Sequence, residues 1–159
     1  MDGIIQIKKG NLLRIGVKDW EGNDTGESLI FDLEDISLPL KYQECTEKHK
    51  KNKQWLIMTF TAINKKQDAK GKKLLSKNEE EKIKALDEFY LREMEALDLI
   101  LGENGTRKML AGRNPYYSMF EDIDEALAPI MPKLKITADD IINKVKEKYK
   151  DNTEKNVLK

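Results

Sequence analysis

Residues 101–114 read LGENGTRKMLAGRN. Glycines, a lysine, an arginine and a threonine crowd this stretch, and two folds are compatible with such a composition. In one, the glycines wrap a phosphate and the chain is a nucleotide-binding α/β protein. In the other, they punctuate a joint between helices. The spacing decides. A phosphate loop of the GxxxxGK[ST] type needs its lysine directly after the second glycine, so that successive N–H groups surround the anion. Here Gly105 follows Gly102 after two residues, and Lys108 follows Arg107. A buried strand should precede such a loop, but the residues before Leu101 carry a helical period. The dinucleotide pattern GxGxxG fails as well. The stretch therefore reads as a joint. Gly102 stops one helix, Asn104 or Gly105 turns the chain, Thr106–Ala111 makes a helical turn, and Gly112 stops that in turn.

Upstream of the joint, Ile83, Leu86, Tyr90, Met94, Leu97 and Leu101 recur at steps of three and four, predicting an amphipathic helix. Ser76 or Asn78 can cap it, and Glu79, Glu80 and Glu81 suit its positive end. Downstream, Asn114 with Pro115 predicts another helix start. Tyr116, Phe120, Ile123, Leu127 and Ile130 form its apolar stripe, Pro129 should kink it, and Pro132 should end it. A last helix is expected from Thr137, with Ile141, Ile142, Val145 and Tyr149 as its buried edge and residues 151–159 as a frayed tail.

The first 36 residues read differently. IIQI, LLRIGV and SLIF are short aliphatic runs, separated by Gly10-Asn11 and by the turn-rich DWEGNDTGES. Leu13, Ile15 and Val17 share one face by the period of two, and Leu29 and Phe31 can oppose them. A hairpin alone is marginal in water, so it must pack on the helices. Ser37 and Pro39 suggest a helix start. The run QWLIMTFTAI (54–63) fits a helical stripe of Leu56, Phe60 and Ile63, or a strand face of Leu56, Met58, Phe60 and Ala62. One helix over 38–65 is the preferred reading. Residues 65–77 are lysine-rich around Gly71 and read as a flexible basic linker. The expected fold is thus α+β: one domain over residues 1–150, with an N-terminal β-hairpin or small antiparallel sheet (1–36) packed on a mostly helical body of four or so helices (37–150).

Composition narrows the chemistry. Of 159 residues, 36% are charged, yet the formal net charge is zero, so there is no general pull toward nucleic acid or an anionic membrane. Cys45 is the sole cysteine, which excludes an intrachain disulfide and a cysteine-based zinc site. His49 is the sole histidine; within the basic run EKHKKNK it reads as solvated. No metal, no cofactor and no catalytic set are expected, because nothing forms a nucleophile–base–orienter group. The acidic patch Glu121, Asp122, Asp124 and Glu125 reads as a surface opposite an apolar stripe. MDGIIQIKKG lacks a signal-peptide pattern, and no run approaches the roughly 20 apolar residues that span a bilayer, so a soluble intracellular protein is expected.

What remains is an interaction protein with adaptable helical faces. Trp55, Met58, Phe60, Tyr116, Tyr117 and Met119 are the candidate partner contacts, each of which could equally be core. A second reading is a nucleic-acid-binding regulatory protein using the basic runs at 48–53 and 65–73. Binding there would be salt-sensitive, but balancing acidic segments argue against it.

Residues 29–130 also resemble a known family. The block EFYLREMEALDLILGENGTRKMLAGRNPYYSMFEDIDEAL is similar to the small tail assembly chaperones of long-tailed phages infecting Gram-positive bacteria. Leu101, Gly102, Glu103, Gly105, Lys108, Leu110 and Gly112 match the family's turn phrase. Asn104 is an insertion, and Leu110-Ala111 stands where Phe-Gly is usual. The resemblance implies a non-catalytic protein of the bacterial host cytoplasm. It would bind the helical tape measure protein, keep it soluble and give way to tail tube protein. Self-association is left open.

Overall fold

The computed structural model describes residues 3–7 and 10–157, with side chains as far as Lys150. It is the expected α+β arrangement. A two-stranded antiparallel sheet, β1 (Leu12–Lys18) and β2 (Asp24–Asp32), packs on five helices. These are α1 (Ser37–Asn64), α2 (Lys77–Leu101), α3 (Gly105–Leu110), α4 (Met119–Leu127) and α5 (Met131–Val157).

The hairpin register pairs Leu13 with Phe31 and Ile15 with Leu29, as the alternation requires. Val17, Leu29 and Phe31 are buried, while Leu12, Arg14 and Ile30 face solvent. The second strand starts four residues before SLIF, at Asp24. There the Thr25 hydroxyl donates to the Val17 carbonyl (2.8 Å) across a register shift. Asp19 Oδ1 accepts from the Glu21 and Asn23 amides and closes the loop. The IIQI run makes no strand: Ile4, Ile5 and Ile7 are almost fully exposed. Lys8 and Lys9 before the proposed Gly10-Asn11 turn lie outside the described residues, as do Met1 and Asp2.

The long-helix reading of 38–65 holds. Leu56 and Phe60 are half-buried and Ile63 is buried, whereas Met58 and Ala62 point outward. The start differs in detail. Ser37 is already helical and caps nothing with its side chain; the Asp35 carboxylate instead accepts from the Ser37 amide (3.0 Å) and hydroxyl (2.6 Å). Those bonds hold the Asp35 carboxyl below its ordinary range. The return to α2 is stitched. Asn78 Nδ2 donates to the Ile63 and Lys66 carbonyls, Asp68 Oδ1 accepts from the Asn78 amide, and Ser76 Oγ caps α2 through the Glu79 amide.

Several helix expectations need correction. The expected apolar stripe of α2 is buried in its C-terminal half, at Met94, Leu97 and Leu101, but further upstream Asn78, Ala85, Phe89 and Glu93 take the buried positions, Leu86 and Tyr90 are half-buried and Ile83 is exposed. Asn114-Pro115 does not start α4, which begins at Met119. Tyr116 Oη and Ser118 Oγ both donate to Asp122 Oδ2 (2.8 and 3.2 Å), pinning that approach as loop. Pro132 does not end a helix. Pro129 breaks the chain after Leu127, and Pro132 sits in the first turn of α5, where its missing N–H costs nothing. Consequently the last helix starts at Met131 and not at the expected Thr137. The expected buried edge of α5 is largely open: Ile142, Val145 and Tyr149 are exposed by 46%, 45% and 62%. The α5 backbone stays helical to Val157, through most of the expected tail; Leu158 and Lys159 lie outside the described residues.

The core joins the inner sheet face to Met94, Leu97, Ile100 and Leu101 of α2, Leu110 of α3, Met119, Phe120, Ile123 and Leu127 of α4, and Leu134 of α5. Its tightest point is Gly105. A Cβ there would lie 2.3 Å from Leu101 Cβ. Gly105→Ala is therefore expected to cost about 2 kcal/mol by overpacking. Gly71→Ala, in open space, should change stability by less than about 0.5 kcal/mol. Urea denaturation of the two variants compares them directly.

Candidate functional site

The glycine-rich joint takes its shape from Asp98. Leu101 ends α2, and Gly102 at φ 89° turns the chain through the left-handed region, its amide donating to the Asp98 carbonyl (2.9 Å). Asp98 Oδ1 then accepts from both the amide (2.8 Å) and the hydroxyl (2.6 Å) of Thr106, which is wholly buried. A carboxylate thus occupies the positive end of α3. The Gly105 amide donates to the Gly102 carbonyl and the Lys108 amide to the Asn104 carbonyl. The amides of Gly102, Gly105, Thr106 and Lys108 are thus committed within the chain. Glu103 and Gly112 are exposed, Lys108 is half-buried and Leu110 is core. The turn residues share a corner whose evident work is to fold α3 back on α2.

A polar cluster that the sequence reading missed lies between α1 and α2. Glu93 is 1% exposed. His49 Nδ1 bonds its Oε2, and Asn52 Nδ2 donates to its Oε1 (2.9 Å). The imidazole stacks flat on Phe120 at 3.6 Å between centroids, and its Nε2 lies 3.5 Å from Glu121 Oε1. His49 is therefore not solvated, as its basic neighbours suggested. Steps of three and four from Leu38 through Tyr42, Cys45, His49, Asn52 and Leu56 to Ile63 put it on the inward line of α1; that spacing was the available signal. Chemically, an imidazole oriented by a carboxylate could relay a proton. The cavity beside it, however, holds only about 10 Å³, room for one water at most. The cluster is a clasp joining α1, α2 and α4.

The acidic patch on α4 serves the same end. Tyr42 Oη donates to Asp124 Oδ1 (2.7 Å), and that hydrogen bond, with burial, pushes the Tyr42 phenol up to about 12. Asp122 holds Tyr116, and Glu121 faces His49. Among the described residues no three His, Cys, Asp or Glu side chains converge to hold a metal ion. No described helix is long and apolar enough to cross a membrane.

The partner-contact candidates fall into different environments. Met119 is core, at 1% exposure. Trp55 is half-buried, with the Arg92 guanidinium 3.9 Å above its ring, and Tyr116 lies similarly beneath Arg113 (3.7 Å). Phe60 is half-buried. Met58 and Tyr117 are the open ones, at 71% and 86%. Ile57, exposed by 66%, joins Met58 on the outer side of α1; the strand-or-helix ambiguity had hidden it. A separate apolar groove of about 570 Å³ runs between α1 and the α4–α5 junction, walled by Pro39, Tyr42, Ala128, Met131, Pro132 and Leu134.

Cys45 borders the clasp at 1% exposure, and burial, with the Asp124 and Glu93 charges, pushes its thiol up to about 12. Native protein should resist iodoacetamide, with labelling that tracks unfolding when followed by mass spectrometry against urea. The clasp itself is tested by Glu93→Ala, which strands His49 and Asn52 and should cost about 3 kcal/mol. The triple replacement His49→Leu, Asn52→Leu, Glu93→Leu should recover most of that loss in the same denaturation assay.

Compared with known proteins, the chain matches no family model, no curated protein and no solved structure.

Proposed function

We propose that this protein is a phage tail assembly chaperone that works without catalysis, holding helical segments of the tape measure protein until tail tube protein displaces it. The observation that carries the reading is the outer side of α1. Ile57 and Met58 stand open in the middle of a long helix, with Trp55 and Phe60 half-buried beside them. Exposed aliphatic groups next to an unbranched methionine suit shallow, adaptable contacts with amphipathic helices of varied sequence. Such contacts have fast dissociation, which lets a polymerising partner strip them away. The groove beside Pro39 and Tyr42 offers a second place for an apolar side chain. The glycine corner at 101–112, where the family resemblance is concentrated, supports the reading by serving as architecture. Action in the host cytoplasm follows from the same proposal.

Nucleic-acid binding is the weaker alternative. Lys50, Lys51 and Lys53 are exposed, but Lys48 shares its groove with Glu88 and Glu95, and Lys66 meets Glu81 at 3.3 Å. Interleaved carboxylates reduce the attraction of a phosphate backbone.

The test mixes the full chain with purified tape measure fragments and follows light scattering and pull-down. Wild type should keep the fragments in solution at micromolar concentration. Ile57→Asp with Met58→Asp, both on solvent-facing positions, should fold normally by circular dichroism and lose about tenfold in capture. Equal precipitation with and without the protein would overturn the proposal. Salt-sensitive gel shifts with duplex DNA would favour the alternative.

A further inference from the structure

The second half of α5 has a face that the fold leaves open. Leu134, at 2% exposure, anchors the helix in the core. From Asp139 to Lys150, however, every side chain except the half-buried Ile141 is exposed. A helix of this length standing in water is marginal on its own, because each residue fixed gains little beyond one hydrogen bond. Its apolar residues are nonetheless ordered. Ala138, Ile142 and Val145 follow steps of four and three, the spacing of a coiled-coil seam, and Tyr149 continues the line.

We infer that this face pairs with the same face of a second copy of the chain, antiparallel, with Ile142 of each copy packed beside Val145 of the other. The flanking charges select this occupant and this direction. Asp139 and Lys146 sit seven residues apart on the same flank of the seam. In an antiparallel pair, equivalent flanks meet, so Asp139 of one copy faces Lys146 of the other, and the twofold axis repeats the pair. In a parallel pair the opposite flanks meet, and Lys146 would face Ile141, which offers no charge. Among the described residues Asp139 bonds Lys135 of its own helix (2.8 Å), at a site where both side chains are more than half exposed, so it is accessible to a second partner. The seam is short, and the dimer is accordingly concentration-dependent, at the small end of specific interfaces.

Sedimentation equilibrium of the full chain tests this. Wild type should shift from monomer to dimer as concentration rises through the micromolar range. Val145→Glu should abolish the shift with the body still folded by circular dichroism. Asp139→Lys and Lys146→Asp should each weaken association about tenfold, and the double variant should restore it. Wild type that stays monomeric throughout would overturn the inference. So would a dimer untouched by Val145→Glu, or charge reversals that do not rescue one another. Capture of a helical client by a monomer through Val145 would instead assign this face to the client.

Discussion

The Glu93 carboxylate, buried between two helices, is the constraint on which the rest depends. A charge removed from water is tolerated only where its oxygens find donors, and here those donors are His49 and Asn52 of α1. Sliding α1 by one turn along α2 would bring Cys45 or Leu56 into the place of one donor and leave one Glu93 oxygen without a partner. The register of the helix pair is thereby set by one polar group, much as a single buried polar residue sets register in a coiled coil. Two further features follow from that register. Asn78 falls where it can take the free carbonyls at the end of α1. The His49 ring also presents a flat face to Phe120, which seats α4 against the pair.

This polar placement also explains what was legible in the sequence. The hairpin could be read because Leu13, Ile15, Val17, Leu29 and Phe31 obey a period of two with no exception on the buried face. The end of α2 could be read because Gly102 is a stop signal in its own right. The inward lines of α1 and α2 were legible only where they are aliphatic, from Leu56 to Ile63 and from Met94 to Leu101, because the middle of each carries polar residues at positions normally held by aliphatics. His49 and Asn52 looked like part of a basic run, and Glu93 fell between the stripe positions Tyr90 and Met94. Each makes sense only once the other helix is in place. The α4 and α5 boundaries failed for another reason. Asn114-Pro115 and Pro132 carry local preferences of a few tenths to a few kcal/mol, and the Asp122 bonds and the packing of Leu134 override them. The candidate surface was legible in part: Met58 was found, Ile57 was overlooked, and Met119 went to the core.

The distribution of open apolar groups fits a molecule whose stable part is small relative to its reach. Sheet, α3, α4 and the C-terminal half of α2 share one core. The far ends of α1 and α2 lean on each other, and most of α5 stands apart. Contacts offered from such extensions are made with little deformation of the core. That suits the proposed assembly role, and it separates stability from interaction: substitutions on the outer side of α1 need not touch the clasp.

The close approach at Gly105 sets the terms on which relatives of this chain can be sought. At that spot the backbone of one helix rests against a neighbouring side chain with no room for even a methyl group, while Asp98 and Thr106 lock the two sides together. Glu103, facing water, carries no such restriction, whereas Asn104 at φ 59° sits where Asn or Gly is favoured. A distant cousin that keeps this elbow should therefore preserve the phrase Asp-x-x-x-Gly-x-x-Gly-Thr while everything around it drifts, which makes those few letters a better probe of ancestry than overall similarity.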